Sequence, residues 1–258
     1  MTGCRNDATY ELDSRLELSR VSVIIAAYNE QAFIEETVRS VLGSGFPCEL
    51  IVVNDGSTDA TGRILAKYST RARIITHSVN RGKAAAVATG LRAASGDIVV
   101  LCDAHLRGLC RYHLLTLVQP LSHGRAREVM GLGIPAGLFL VRAFLPDLIL
   151  TGQRAYFRDD LLPLAEAFDG LGYGLEAFLF TCFRREDKTV VLLPGLVHLL
   201  KLDTSRFVAA LVSYFREAAE ILSSIIRMRC PELAQVLRRA RVTAQRLLGS
   251  ARGGGVGT

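Results

Sequence analysis

Asp103 and His105, in the stretch VVLCDAHLRG (99–108), are the residues whose types and spacing could do chemistry. An apolar run, Ile98 to Cys102, ends in a carboxylate, and an imidazole follows two residues later. In an extended or turning segment the two side chains can converge on one divalent cation. A carboxylate with an imidazole suits Mn2+ better than Mg2+, which prefers all-oxygen surroundings. Three more polar segments end or follow apolar runs: AAYNE (26–30), NDGSTD (54–59) and NRGKAAA (80–86). Asp55 is an acceptor suited to a base or ribose. Lys83, beside Gly82 at a helix start, suits phosphate oxygens.

The elements that must position these residues are legible as a rhythm. VSVIIAA (21–27) is a continuous β-branched run, the pattern of a parallel strand buried on both faces. ELIVV (49–53), ARIITH (72–77) and DIVVLCD (97–103) repeat it. Between them lie helical patterns: one opening at Asn29 with Ile34, Val38, Val41 and Leu42 on one face, one after Ser57–Asp59, and an Ala-rich one over 82–94. Strands alternating with helices predict βαβ units and a parallel sheet, with ligands beyond the carboxyl ends of the strands. All four polar segments fall on that rim. Residues 104–150 give mixed signals. Residues 158–168 and 174–185 read as helical and 188–194 as a late strand. Two amphipathic helices are expected over 203–248, broken near Pro231, and then a flexible tail over 249–258.

The four ordered motifs, VSVIIAAYNE, IVVNDGSTDAT, NRGKAAAVATG and GDIVVLCDAH, resemble the nucleotide-sugar-binding half of a family 2 glycosyltransferase. The resemblance implies a GT-A fold: an α/β, Rossmann-like, mostly parallel sheet flanked by helices, here with a C-terminal helical extension. It divides the chain into a lead-in (1–20), a nucleotide-sugar half (21–106), an acceptor-side half (107–202), the extension (203–248) and the tail (249–258). It implies that Ala27, Tyr28, Glu30, Asp55, Arg81, Gly82, Lys83 and Asp103 line the donor site, and that Asp103 holds a divalent metal, Mn2+ or Mg2+. The chain departs from the common D-x-D pattern at its second position, where His105 stands. TGQRAYFRDDL (151–161) and GYGLEAFL (172–179) resemble acceptor-side segments of glucosyl-phosphoglycerate synthases and polyprenyl-phosphate sugar transferases. That likeness implies acceptor contacts for Gln153 and Arg154 and a place near the acceptor for Glu176, the candidate base. It also implies a third metal ligand in His198, which follows the late strand.

The implied chemistry is metal-assisted hexose transfer from a nucleoside-diphosphate sugar to a lipid-linked or small phosphorylated acceptor. A Lewis acid neutralises the leaving diphosphate, and Lys83 or Arg81 adds fixed positive charge. Two rivals remain. A nucleotidyltransferase would carry a Gly-rich loop with Arg and Lys after the first strand, where AAYNEQA stands instead. A sugar-nucleotide-binding protein without turnover is kept open by His105.

Composition narrows the setting. The net charge of +6 belongs to residues 201–258, with ten Lys/Arg against four Asp/Glu, so residues 1–200 are formally neutral. Basic amphipathic helices there would suit an anionic membrane surface, hence a cytoplasmic protein peripheral at the inner face. No uncharged stretch of about 20 residues exists to span a bilayer. Neither a nucleic-acid-binding motif nor an aromatic platform is present, and no GxGxxG follows the first strand. The six cysteines form no CxxC pair and read as thiols. Homo-oligomer formation is left open.

Overall fold

The structure, a computed structural model, describes residues 20–134, 151–168, 170–171 and 174–198. The expected lead-in, the helices over 203–248 and the tail lie outside these residues.

Three of the four apolar runs became strands buried on both faces, and the run over 72–77 became a partly covered strand at the sheet edge. The strands are β1 (Val21–Ala27), β2 (Glu49–Asn54), β3 (Arg73–Thr76) and β4 (Ile98–Asp103). Helices α1 (Ile34–Gly43), α2 (Thr61–Ala66) and α3 (Lys83–Ala93) connect them. The four strands are parallel, in the order β3-β2-β1-β4. The chain therefore winds outward from β1 to β3 and returns to β1's other side, which makes the carboxyl ends of β1 and β4 a topological switch point. Register sets the residues of that rim side by side: Ala26 pairs with Asp103 and Ala27 with Asn54. The first helix begins at Ile34, not Asn29, because Asn29 takes a left-handed backbone with φ of 54° and turns the chain first.

Residues 104–198 continue the same sheet. β5 (Leu106–Arg107), α4 (Arg111–Ser122), β6 (Glu128–Ile134) and β7 (Arg154–Phe157) come first. Then come α5 (Arg158–Leu161), a 3-10 segment (Leu162–Phe168), α6 (Leu175–Cys182), β8 (Lys188–Pro194) and β9 (Val197–His198). The full sheet has seven strands, β3-β2-β1-β4-β7-β6-β8, with β7 antiparallel to β4 and to β6. Thus the two halves share one sheet. Half of the helix expected over 158–168 tightens into 3-10 geometry, with Pro163 near the join.

Two apolar layers cover the sheet. One packs Val23, Ile25, Val52 and Val100 against Ile34, Val38, Leu114 and Leu117. The other packs Ile24, Val53, Val99 and Leu101 against Ala84, Val87 and Leu91 of α3, and Phe168 and Leu175. The alanines of α3 let it lie close to the sheet: a Cβ on Gly90 would stand 2.5 Å from Ile24 Cγ2. Close approach brings the first residue of α3, Lys83, to the strand ends. Cys48, Cys102 and Cys182 are free thiols. Cys110 is disulfide-bonded, which corrects the reading of all six as thiols. Among the described residues no helix is long and apolar enough to cross a membrane.

Candidate active site

The rim is built around Asp103. Its carboxylate is nearly buried and is gripped from two sides. Lys83 Nζ donates to Oδ1 at 2.8 Å, and Gln153 Nε2 donates to Oδ2 at 2.8 Å. Lys83 also donates to Glu176 Oε1 at 2.6 Å, so one ammonium bridges two carboxylates from β4 and α6. Burial alone would pull the Lys83 ammonium down. The charges and hydrogen bonds of Asp103 and Glu176 outweigh it and hold the pKa above the usual lysine range. Lys83, Gly152, Arg154 and Glu176 line one cleft, with Ile24 and Leu101 among its apolar walls.

A turn re-aims the chain after Asp103. Thr37 of α1 is buried beneath it, accepting from Leu106 N–H at 3.0 Å and facing the carbonyls of Ala104 and Leu106 at 3.0 and 3.2 Å. His105 emerges partly exposed, its Nδ1 3.8 Å from Glu30 Oε1. β5 pairs with β9 so that Leu106 lies opposite His198. The backbone of His198 is therefore at this corner; its side chain lies outside what the structure describes.

Asp55 has a different setting from the one its type suggests. Its carboxylate is 3% exposed. Oδ1 accepts from His77 Nδ1 at 2.7 Å and from Arg81 N–H at 2.9 Å; Oδ2 accepts from Gly82 N–H at 2.8 Å. Asp55 thereby shapes the turn that delivers Lys83, and Gly82 in that turn takes a φ of 91°. The segments at 26–30 and 54–59 are tied to each other. Asn29 N–H donates to Ser57 Oγ at 3.0 Å, and Asn29 Oδ1 accepts from Thr58 N–H at 2.9 Å. Glu30 N–H donates to Thr61 Oγ1 at 2.8 Å. Ala27 is buried behind Tyr28, which is 41% exposed over this platform, and Arg81 is exposed beside it.

The acceptor contacts expected of Gln153 and Arg154 would have to be made from buried positions, Gln153 immediately before β7 and Arg154 at its start. Gln153 is fully buried on Asp103, and Arg154 is 1% exposed. Arg154 donates to Glu128 Oε1 at 2.6 Å and to the Thr151 carbonyl at 2.8 Å. Tyr156 Oη also donates to Glu128 Oε1, at 2.8 Å. Charge explains the arrangement: a buried guanidinium needs a buried carboxylate. The residues missed by sequence reading are Thr37, His77, Thr151 and Gly152. None has a sequence signal, because each acts through a contact distant in the chain.

The donor set fits a divalent cation that completes its shell with ligand oxygens. The ammonium held between Asp103 and Glu176 is a stand-in cation at the tip of β4. Among the described residues no group of three or more His, Cys, Asp and Glu side chains is already assembled around one point. Asp103 and His105 would hold the ion, with diphosphate oxygens supplying the remainder.

Comparison with known proteins agrees with this architecture. Residues 22–132 match the family model described as Glycosyl transferase family 2. Poly-beta-1,6-N-acetyl-D-glucosamine synthase of Staphylococcus epidermidis is 35% identical over 91 residues, which are 34% of this chain and 22% of that protein. Undecaprenyl-phosphate 4-deoxy-4-formamido-L-arabinose transferase of Salmonella paratyphi A is 34% identical over 98 residues, 35% of this chain and 30% of that protein. The match thus spans less than a third of either relative. Glucosyl-3-phosphoglycerate synthase from Mycobacterium tuberculosis, crystallised with Mn2+, UDP-glucose and phosphoglyceric acid, superposes with a TM-score of 0.64. It is 26% identical, over 84% of this chain and 81% of that one.

Proposed function

We propose, from the match of residues 22–132 to the Glycosyl transferase family 2 model and from the sheet they share with glucosyl-3-phosphoglycerate synthase, that the chain transfers a hexose from a nucleoside-diphosphate sugar to a phosphorylated acceptor. The observation that carries this reading is the cluster at the switch point: the Lys83 ammonium joins the carboxylates of Asp103 and Glu176. Tyr28, Glu30 and the Asp55-built turn at Arg81–Gly82 form the platform for the nucleoside. Lys83 is the fixed positive charge nearest the leaving diphosphate, and it can change partners from carboxylate to phosphate oxygen without leaving the cleft. Mn2+ or Mg2+ on Asp103 and His105, with His198 as a third ligand, would add Lewis-acid stabilisation of the leaving diphosphate.

Glu176 is the candidate for receiving the acceptor's proton. A phosphate acceptor needs little such help, and Glu176 then serves to hold Lys83. The relatives named above include a transferase onto undecaprenyl phosphate and a synthase of glucosyl-3-phosphoglycerate, which supports a lipid-linked or small phosphorylated acceptor. The basic stretch 201–258 supports peripheral contact with an anionic membrane from the cytoplasmic side.

The test is a donor screen on the full chain, measuring nucleoside diphosphate release from UDP-, GDP- and dTDP-sugars with Mn2+. Metal-dependent release from one donor is expected. Tight nucleotide binding with no release from any donor, acceptors included, would instead identify a binding protein without turnover.

A further inference from the structure

We propose that Gln153 is a positioning residue for the cation site, holding Oδ2 of Asp103 so that Oδ1 is the oxygen that exchanges Lys83 for a metal ion. The inference rests on the functional reading above and concerns a residue whose sequence suggested an acceptor contact.

Among the described residues, two different side chains donate to the Asp103 carboxylate. Lys83 reaches Oδ1 from the first turn of a helix, on a long stem, with its side chain 26% exposed and a second carboxylate already in hand. It can leave. Gln153 reaches Oδ2 from the position just before β7 and is fully buried. Its own carboxamide lies against Thr151: Thr151 Oγ1 lies 3.0 Å from Gln153 Oε1, accepts from Gln153 N–H at 3.2 Å, and is itself anchored to the Gly131 carbonyl at 2.7 Å. The carboxylate of Asp103 sets the amide's orientation, because it accepts from Nε2, and the reverse orientation would set a carbonyl oxygen against it.

Gly152 completes the cradle. A Cβ there would stand 2.2 Å from both oxygens of Asp103, so the carboxylate lies flat on a residue without a side chain. The tripeptide Thr151–Gly152–Gln153 is thus a mould for one carboxylate. It consists of room, a donor and an anchor for the donor. Groups that orient a metal ligand in this way typically matter ~10–100-fold in metal affinity. Gln153 contributes no charge, so its effect is on the direction of the carboxylate and not on the field.

The experiment titrates Mn2+ into the full chain with UDP, GDP or dTDP present and reads free Mn2+ by electron paramagnetic resonance, a measure independent of turnover. Gln153→Met keeps the size and removes the donor. It is expected to fold, to bind Mn2+ about 10–100-fold more weakly, and to recover its rate at excess Mn2+. A merely structural defect would lower the rate at every metal concentration. Should the Met variant fail to fold, Gln153→Asn, one methylene too short to reach, is expected to give the same weakening. Wild-type Mn2+ affinity in the folded variant would overturn the assignment while leaving the transferase reading intact. No Mn2+ binding by the wild-type chain with any of the three nucleotides would overturn both.

Discussion

At the scale of single residues, the site depends on how Asp103 is shared. A carboxylate at a strand end can cap, pair or ligate, and here it lies between an ammonium and an amide. Lys83 is the residue whose removal should be felt most in catalysis. Lys83→Met is expected to reduce kcat/KM by ~10²–10³, the scale for losing one preorganised group at a developing charge, as measured by diphosphate release at saturating Mn2+. His105→Ala tests the other half of the cation pair. The Mn2+ concentration for half-maximal rate should rise; if rate and metal dependence both stay put, His105 is no ligand. Sequence reading singled out Asp103 at the end of an apolar run and Lys83 at a helix start, and Glu176 through the resemblance; the structure brings the three together. It did not show that Gln153 and Arg154 are buried, since a polar residue in a short motif gives no sign of which way the chain will turn it.

At the scale of elements, the Ala-rich α3 and the apolar strands were readable because periodicity survives any partner. The helix α4 was not, with Pro120 inside it and a first turn that lacks acidic residues. β6 hid for a similar reason: its sequence, EVMGLGI, has two glycines and a buried Glu128 where apolar residues are expected. What fastens α4 to the far end of the sheet is His113. It is fully buried; its Nε2 donates to the Pro194 carbonyl at 2.9 Å and its Nδ1 accepts from Cys110 N–H at 3.2 Å. That pattern uses the neutral ring. Burial holds its pKa below the ordinary 6.5, and the Pro194 bond offsets only part of that. As pH falls through that ordinary value the unfolded chain takes up a proton that the native ring refuses. The contribution to stability is therefore present above 6.5 and is lost below it. Urea midpoints followed from about pH 7 to 5 should fall for the wild type, and less steeply for His113→Gln.

At the scale of the whole molecule, one sheet carries both halves, joined at β4 and β7, and the buried ion pair Arg154–Glu128 ties β7 to β6 on the second half's side of that join. Arg154 of β7 reaches across to Glu128 of β6, with Tyr156 closing the triad. Removing one charge leaves the other stranded in the core. Glu128→Ala is expected to cost ~3–5 kcal/mol in urea denaturation, whereas the double replacement Glu128→Leu with Arg154→Met should come close to neutral. A near-neutral single variant would mean that solvent reaches the pair.

Local pattern was enough to determine the βαβ half, its carboxyl-end rim and the acidic tip at Asp103, because strand and helix periods depend on neighbours in the chain. The approach of β7 to β4 was decided only by the tertiary structure. That approach buried Gln153 and Arg154 and closed the mould of Thr151, Gly152 and Gln153 around Asp103. Pairing across 50 residues is set by which buried charges and hydrogen bonds can all be satisfied at once, and no window of sequence contains that condition.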